Sequence, residues 1–148
     1  MTTIAIAGAT GAVGQQMLEC LIERNIQADL KLLDSARSKG KEIDGHIVEE
    51  LTKESFQGVD YVLGATGNDI TKMWMPWAKE AGCIVVDNSS AFRLDKDVPL
   101  VIPEVNKEDI KGHHGLIANP NCATIIALVA LQALHKKYRI KRMIVTTF

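Results

Sequence analysis

Cys122 directly follows Asn119-Pro120-Asn121 and opens a long apolar run, CATIIALVALQALHKKY. Asparagine is a favoured helix N-cap, so Asn121 makes Cys122 the first residue inside a predicted helix. Unpaired backbone N–H groups at that end, aided by the helix dipole, favour a thiolate and therefore a nucleophile. The same N–H groups suit the oxyanion that forms when a carbonyl is attacked. A small buried hydrophobe is the competing description of any free cysteine, and it is the one expected of Cys20 and Cys83, which fall within or at the edge of packed elements.

Three further stretches could serve such a nucleophile. GATGAVG, Gly8 to Gly14, lies between a strand-like run and a helical one. In that context a glycine turn lets backbone approach a pyrophosphate at a helix start, although its G-x-x-G-x-x-G spacing also fits a turn without ligand. LLDSARSKG follows the second strand-like run. There Asp34 stands where an acidic residue holds the adenosine ribose of NAD, whereas Ser35, Arg37 and Ser38 suit the 2′-phosphate of NADP. The second choice is preferred, against an ordinary solvated turn. VVDNSSAFR leaves an apolar strand for a polar cluster ending in Arg93. Its guanidinium can clamp a carboxylate or phosphate, or else pair on the surface with Asp95 or Asp97 while Asn88, Ser89 and Ser90 cap a turn. Thr66, Asn68 and Thr71 offer additional hydrogen bonds to a cofactor.

The elements that would position these residues alternate. TIAIA (3–7), DLKLLD (29–34), VDYVLGA (59–65) and CIVVD (83–87) read as strands. Helical spacing runs through Val13, Met17, Leu18, Leu21 and Ile22, then over 69–81, then from Cys122, whose apolar side chains Ile125, Leu128, Val129 and Leu131 to Leu134 suit packing on a sheet. Strands as apolar as Tyr-Val-Leu or Ile-Val-Val are suited to burial on both faces. The expected fold is α/β, a Rossmann-like, doubly wound and mostly parallel sheet.

Composition narrows the function. The chain has 148 residues, of which 47% are hydrophobic, enough for one globular core. Its 17 basic and 18 acidic residues give a net charge of -1 with no long like-charge run, which argues against nucleic acid or an anionic membrane as partner. Small molecules are the expected partners. No apolar run reaches the ~18 residues of a membrane helix, and no basic segment precedes the first apolar stretch, so a cytoplasmic chain is expected. Three cysteines and four histidines show no zinc-ligand spacing, and no metal site is expected. His113 and His114 read as loop residues.

GATGAVG, SARS, VVDNSSAFR, VPLVIPEVN and IANPNCAT, in that order, closely resemble the N-terminal part of the aspartate-semialdehyde dehydrogenases. The resemblance covers nearly the whole chain, and NPNC separates it from the related N-acetyl-glutamyl-phosphate reductases. It implies NADPH-dependent reduction of β-aspartyl phosphate to aspartate semialdehyde and phosphate, supplying lysine, methionine and threonine synthesis. By the resemblance, Gly8, Thr10, Gly11, Ala12 and Val13 would form the pyrophosphate site, with Thr66 also on the cofactor. Arg37 and Ser38 would read the 2′-phosphate, and Arg93 would bind the substrate phosphoryl group. Cys122 would form a thioacyl enzyme, with Asn121 orienting substrate beside it.

Family members are more than twice as long. The resemblance therefore implies an NADP-binding domain over 1–141, and 142–148 as the first strand of a second domain that is largely absent. That domain supplies the family's acid–base histidine, a substrate-binding arginine and most of the contact in a homodimer or larger assembly. His135 does not match that histidine, and the chain alone is expected to be inactive. Two other readings are a non-catalytic dinucleotide-binding module and a subunit completed by a partner chain.

Overall fold

A computed structural model describes residues 1–146. Its centre is β1 (Thr3–Ala7), a run of small and branched apolar residues that is buried on both faces. Successive side chains point to opposite faces of a strand. Ala5 and Ala7 accordingly enter one core, with Leu33, Phe56, Val62 and Trp74, while Ile6 enters a second, with Ala9, Leu18, Leu32 and Val48. Helix α1 (Ala12–Glu23) supplies Leu18 to the second core, and α2 (Asn68–Glu80) supplies Trp74, Met75 and Ala78 to the first. The rings of Phe56 and Trp74 stack with centroids 5.7 Å apart.

Seven strands form the sheet. β2 (Asp29–Asp34) and β5 (Tyr61–Gly64) flank β1, both parallel to it. β4 (His46–Glu50) lies outside β2, while β6 (Ile84–Asp87) and β7 (Leu116–Ala118) extend the other side, all parallel. β3 (Glu42–Ile43) pairs antiparallel with β4 at the edge, across an Asp44-Gly45 turn with both residues at positive φ. The order is β3-β4-β2-β1-β5-β6-β7. Crossovers leave β1 in opposite directions, so the carboxyl ends of β1 and β5 form a switch point, where ligands bind in open α/β sheets. The predicted doubly wound, mostly parallel sheet is what the chain forms.

Three details differ from the sequence reading. No α-helix links β2 to β4; a single 3-10 turn, Ala36–Ser38, and the β3–β4 hairpin span that stretch. Short polar-flanked strands such as HIVEE and LIA give too few alternations to be recognised alone. The second difference is α4 (Cys122–Tyr138), which packs against α3 (Pro103–Asn106) rather than on the sheet. None of its residues is buried, and Ile126 is 72% exposed. Apolar residues on every side of α4 gave its sequence no single face to aim at the sheet. The third concerns 142–148: no strand forms over 142–146, and 147–148 lie outside the described residues.

Candidate cofactor and thiol site

The glycine turn is built by close backbone contact. Gly8 has φ +90, in the left-handed region, and its N–H donates to the Leu33 carbonyl at 2.8 Å, tying the end of β1 to β2. A Cβ on Gly8 would lie 2.8 Å from the Ala65 carbonyl oxygen, and one on Gly14 would meet the Gly8 carbonyl oxygen and sit 2.8 Å from Ala9 Cα. Only hydrogen fits at these two positions, so α1 starts directly against the turn. Gly11 is the N-cap and contributes no side-chain cap; the first backbone hydrogen bond of the helix runs from Gln15 N–H to Gly11 O. Among the described residues, the N–H groups of Ala12 and Val13 have no partner. Two unpaired amides over a bare glycine turn at the switch point fit a dinucleotide pyrophosphate.

Thr10 departs from its expected part. Its N–H and Oγ both donate to Asp34 Oδ2, at 2.9 and 2.8 Å, so they shape the turn instead of facing a pyrophosphate. Asp34 Oδ1 accepts from Ser35 N–H at 2.6 Å. Partial burial pushes the Asp34 carboxyl up, but the hydrogen bonds from the Thr10 and Ser35 backbone and the Thr10 hydroxyl outweigh it and leave the pKa lowered. Ser38 is buried, with its Oγ 3.4 Å from Thr10 Oγ. Arg37 is exposed, and no ion pair engages it among the described residues. Arg37 and Ser38 thus flank the end of β2, Arg37 exposed and Ser38 buried.

Thr66 also differs. Its Oγ accepts from Trp74 Nε1 at 2.9 Å and lies 2.8 Å from Thr71 Oγ, whose hydroxyl reaches back to the Thr66 carbonyl. Thr71 is fully buried. This chain of hydrogen bonds anchors the first turns of α2 and commits the fully buried Thr71 hydroxyl to it. Asn68 is taken as well, since its side chain exchanges hydrogen bonds with the backbone and hydroxyl of Ser90.

Beyond β6 and β7 the chain forms a polar cradle. Arg93 pairs with neither Asp95 nor Asp97. Its Nε donates to the Asn119 carbonyl and its Nη2 to the Asn88 carbonyl, each at 2.9 Å. Asn119 Nδ2 donates to Asn88 Oδ1 at 2.7 Å, and the buried Asp87 carboxylate accepts from Ser89 N–H and Oγ at 3.0 and 2.6 Å. The guanidinium is therefore fixed across two strand exits with N–H donors to spare. Asn88, Asn119 and Asp87 complete this cradle, and sequence reasoning missed their part in it. The dense run of polar residues after a buried strand was the available signal.

Asn119 lies three residues before Cys122. Asn121 caps α4 as predicted, its Oδ1 accepting from Ala123 N–H at 3.0 Å, and Cys122 is exposed at the first helical position. Cys83 is buried, and burial pushes its thiol pKa up. Cys20 is only half-buried, contrary to expectation, because it lies on the side of α1 that borders an open cleft. An open cleft of about 640 Å³ runs from the start of α1 to the start of α4, with Ala12, Val13, Leu63, Asn88, Cys20 and Cys122 on its walls. The residues that carry the unpaired amides and the thiol thus line one cleft.

Residues 3–113 match the family described as semialdehyde dehydrogenase, NAD binding domain. An aspartate-semialdehyde dehydrogenase of Bacillus subtilis is 46% identical over 98% of this chain and 43% of its own length. The crystal structure of aspartate semialdehyde dehydrogenase II from Vibrio cholerae superposes with a TM-score of 0.85 at 45% identity, covering 95% of this chain and 44% of that one. A Candida albicans aspartate semialdehyde dehydrogenase with NADP gives a TM-score of 0.79 at 28% identity, over 95% of this chain and 48% of that one. The chain spans less than half the length of these relatives. It belongs to the semialdehyde dehydrogenase family, and over nearly all of its length it is similar to the aspartate-semialdehyde dehydrogenases.

Proposed function

We propose that this chain is the cofactor-binding, thiol-bearing part of an aspartate-semialdehyde dehydrogenase. In the intact enzyme it would use NADPH to reduce β-aspartyl phosphate to aspartate semialdehyde and phosphate, on the route to lysine, methionine and threonine. The observation that carries this reading is the single cleft lined by both Ala12 and Val13, at the start of α1, and Cys122. Ala12 and Val13 N–H groups take the pyrophosphate, Gly8 and Gly11 let it approach, and Arg37 and Ser38 take the 2′-phosphate.

The Cys122 thiolate attacks the acyl carbonyl, and the bond from that carbon to the phosphate oxygen breaks with its electron pair leaving on phosphate. Spare N–H donors of Arg93 receive the phosphoryl charge, while Asn121, its Oδ1 committed to Ala123, has its Nδ2 free to orient substrate. The nicotinamide, when bound, supplies the hydride that releases the aldehyde from the thioester. These 148 residues hold no counterpart of the family's acid–base histidine, so they bind cofactor without turnover.

Fluorescence titration of the pure chain with NADPH and NADH tests the reading. Saturable NADPH binding, weakened at least tenfold by Arg37→Ala, is expected from loss of a charge-assisted phosphate contact. Binding of neither cofactor would remove the basis of the proposal.

A further inference from the structure

Asp34 stands at a position where an acidic side chain would ordinarily take the ribose 2′-OH. Its carboxylate is turned to another use: Thr10 N–H and Oγ occupy Oδ2, and Ser35 N–H occupies Oδ1. Three hydrogen bonds fix both oxygens at the base of the glycine turn. The fixed charge is nevertheless close to the groups that read the adenosine end. Thr10 Oγ bridges the gap, 2.8 Å from Asp34 Oδ2 and 3.4 Å from the buried Ser38 Oγ. A phosphate bonded to Ser38 would lie within roughly 9 Å of the carboxylate, given an ordinary O–H···O length. Across that distance a carboxylate opposes a group of charge near −2, partly offsetting the attraction of Arg37.

We propose that Asp34 is a specificity-determining residue whose fixed negative charge, clamped by Thr10 beside Ser38, narrows the preference for NADPH so that the site also accepts NADH. The inference rests on the nicotinamide-binding reading above. It concerns a through-space effect on the 2′-phosphate and assigns the carboxylate no contact with the ribose.

The experiment measures Kd for both cofactors at low ionic strength in the 148-residue chain, Asp34→Asn and Asp34→Ser. Asparagine keeps an oxygen that can accept from Thr10, and serine removes the charge with a smaller side chain. Any general loosening of the turn weakens both cofactors and cancels in the ratio of the two constants. The expected result is a NADPH preference about fivefold to tenfold greater in both variants, arising from tighter NADPH and shrinking as salt is raised. An unchanged ratio, with both cofactors still bound, would overturn this inference and leave the cofactor site standing. A ratio raised only by weaker NADH would also overturn it, since the carboxylate would then be holding the ribose diol. No binding of either cofactor to the unaltered chain would overturn the underlying reading and this inference with it.

Discussion

Replacing Gly14 with alanine should destabilise the fold even though alanine is the better helix former. Inside a helix that exchange ordinarily gains about 1 kcal/mol. Here the new Cβ would overlap the Gly8 carbonyl oxygen and lie 2.8 Å from Ala9 Cα and 2.9 Å from the Gly8 carbonyl carbon. All three are backbone atoms of the glycine turn, so no side-chain rotation relieves the contact. Overpacking of this kind costs about 1–3 kcal/mol. Because the obstacle is backbone, the upper part of that range applies, leaving a net loss of about 1–2 kcal/mol. For a chain of this length that is a fall in Tm of roughly 2–8 °C. Gly11→Ala is the control, since its Cβ would meet only the Gly8 oxygen, at an ordinary 3.5 Å. Its cost should stay within about 1 kcal/mol, as at any N-cap that loses glycine. Urea unfolding of the three proteins provides the comparison. A Gly14→Ala chain as stable as the parent, or less damaged than Gly11→Ala, would refute the claim that α1 is pressed onto this turn.

Thr66→Val should cost about 1–3 kcal/mol, because the Trp74 indole N–H and the buried Thr71 hydroxyl lose their shared partner. Thr66→Ser should restore most of it in thermal melts followed by tryptophan fluorescence. The Asp34 pKa is lowered in the folded state, so its stabilising contribution is present above the unfolded value, near 3.8, and is lost as pH falls through the folded value. Melting temperatures of the parent and Asp34→Asn should therefore draw together below about pH 4, and parallel curves down to pH 2 would contradict the Thr10 clamp. Brief treatment with iodoacetamide should label exposed Cys122 and leave Cys83, 2% exposed, unmodified until the chain is unfolded. Peptide mass spectrometry reads the two sites separately.

How far these features could be read from sequence depends on how local their causes are. Thr3–Ala7 and Asp29–Asp34 form strands over the expected residues because short apolar-rich runs end at Gly8 and at Ser35. The Asn121 cap was equally legible, since a helix start is decided within three residues. The use of Thr10 and Thr66 was not. Their hydroxyls are taken by Asp34 and Trp74, partners 24 and 8 residues away that only the folded sheet and helix bring near. Arg93 shows the same limit, because its partners are backbone carbonyls at two strand exits, and a carbonyl carries no residue type to recognise.

The packing of α4 was misread for a different reason. An amphipathic helix announces its buried side by leaving the other side polar. Ile125, Ile126, Leu128, Val129, Leu131 and Leu134 surround this helix, so its sequence states that much of it avoids water without stating which side meets what. Among the described residues, Leu128 and Leu131 share a hollow with Val105 of α3 and with Ile140 and Met143, while Ile126, Val129 and Leu134 remain exposed. Helix propensity and the Asn121 cap therefore fix where α4 begins, and with it the position of Cys122. They do not fix what covers the helix. The thiol is placed by local chemistry at one end of an element whose remaining surface is still apolar and open, and for that reason its position was legible when its surroundings were not.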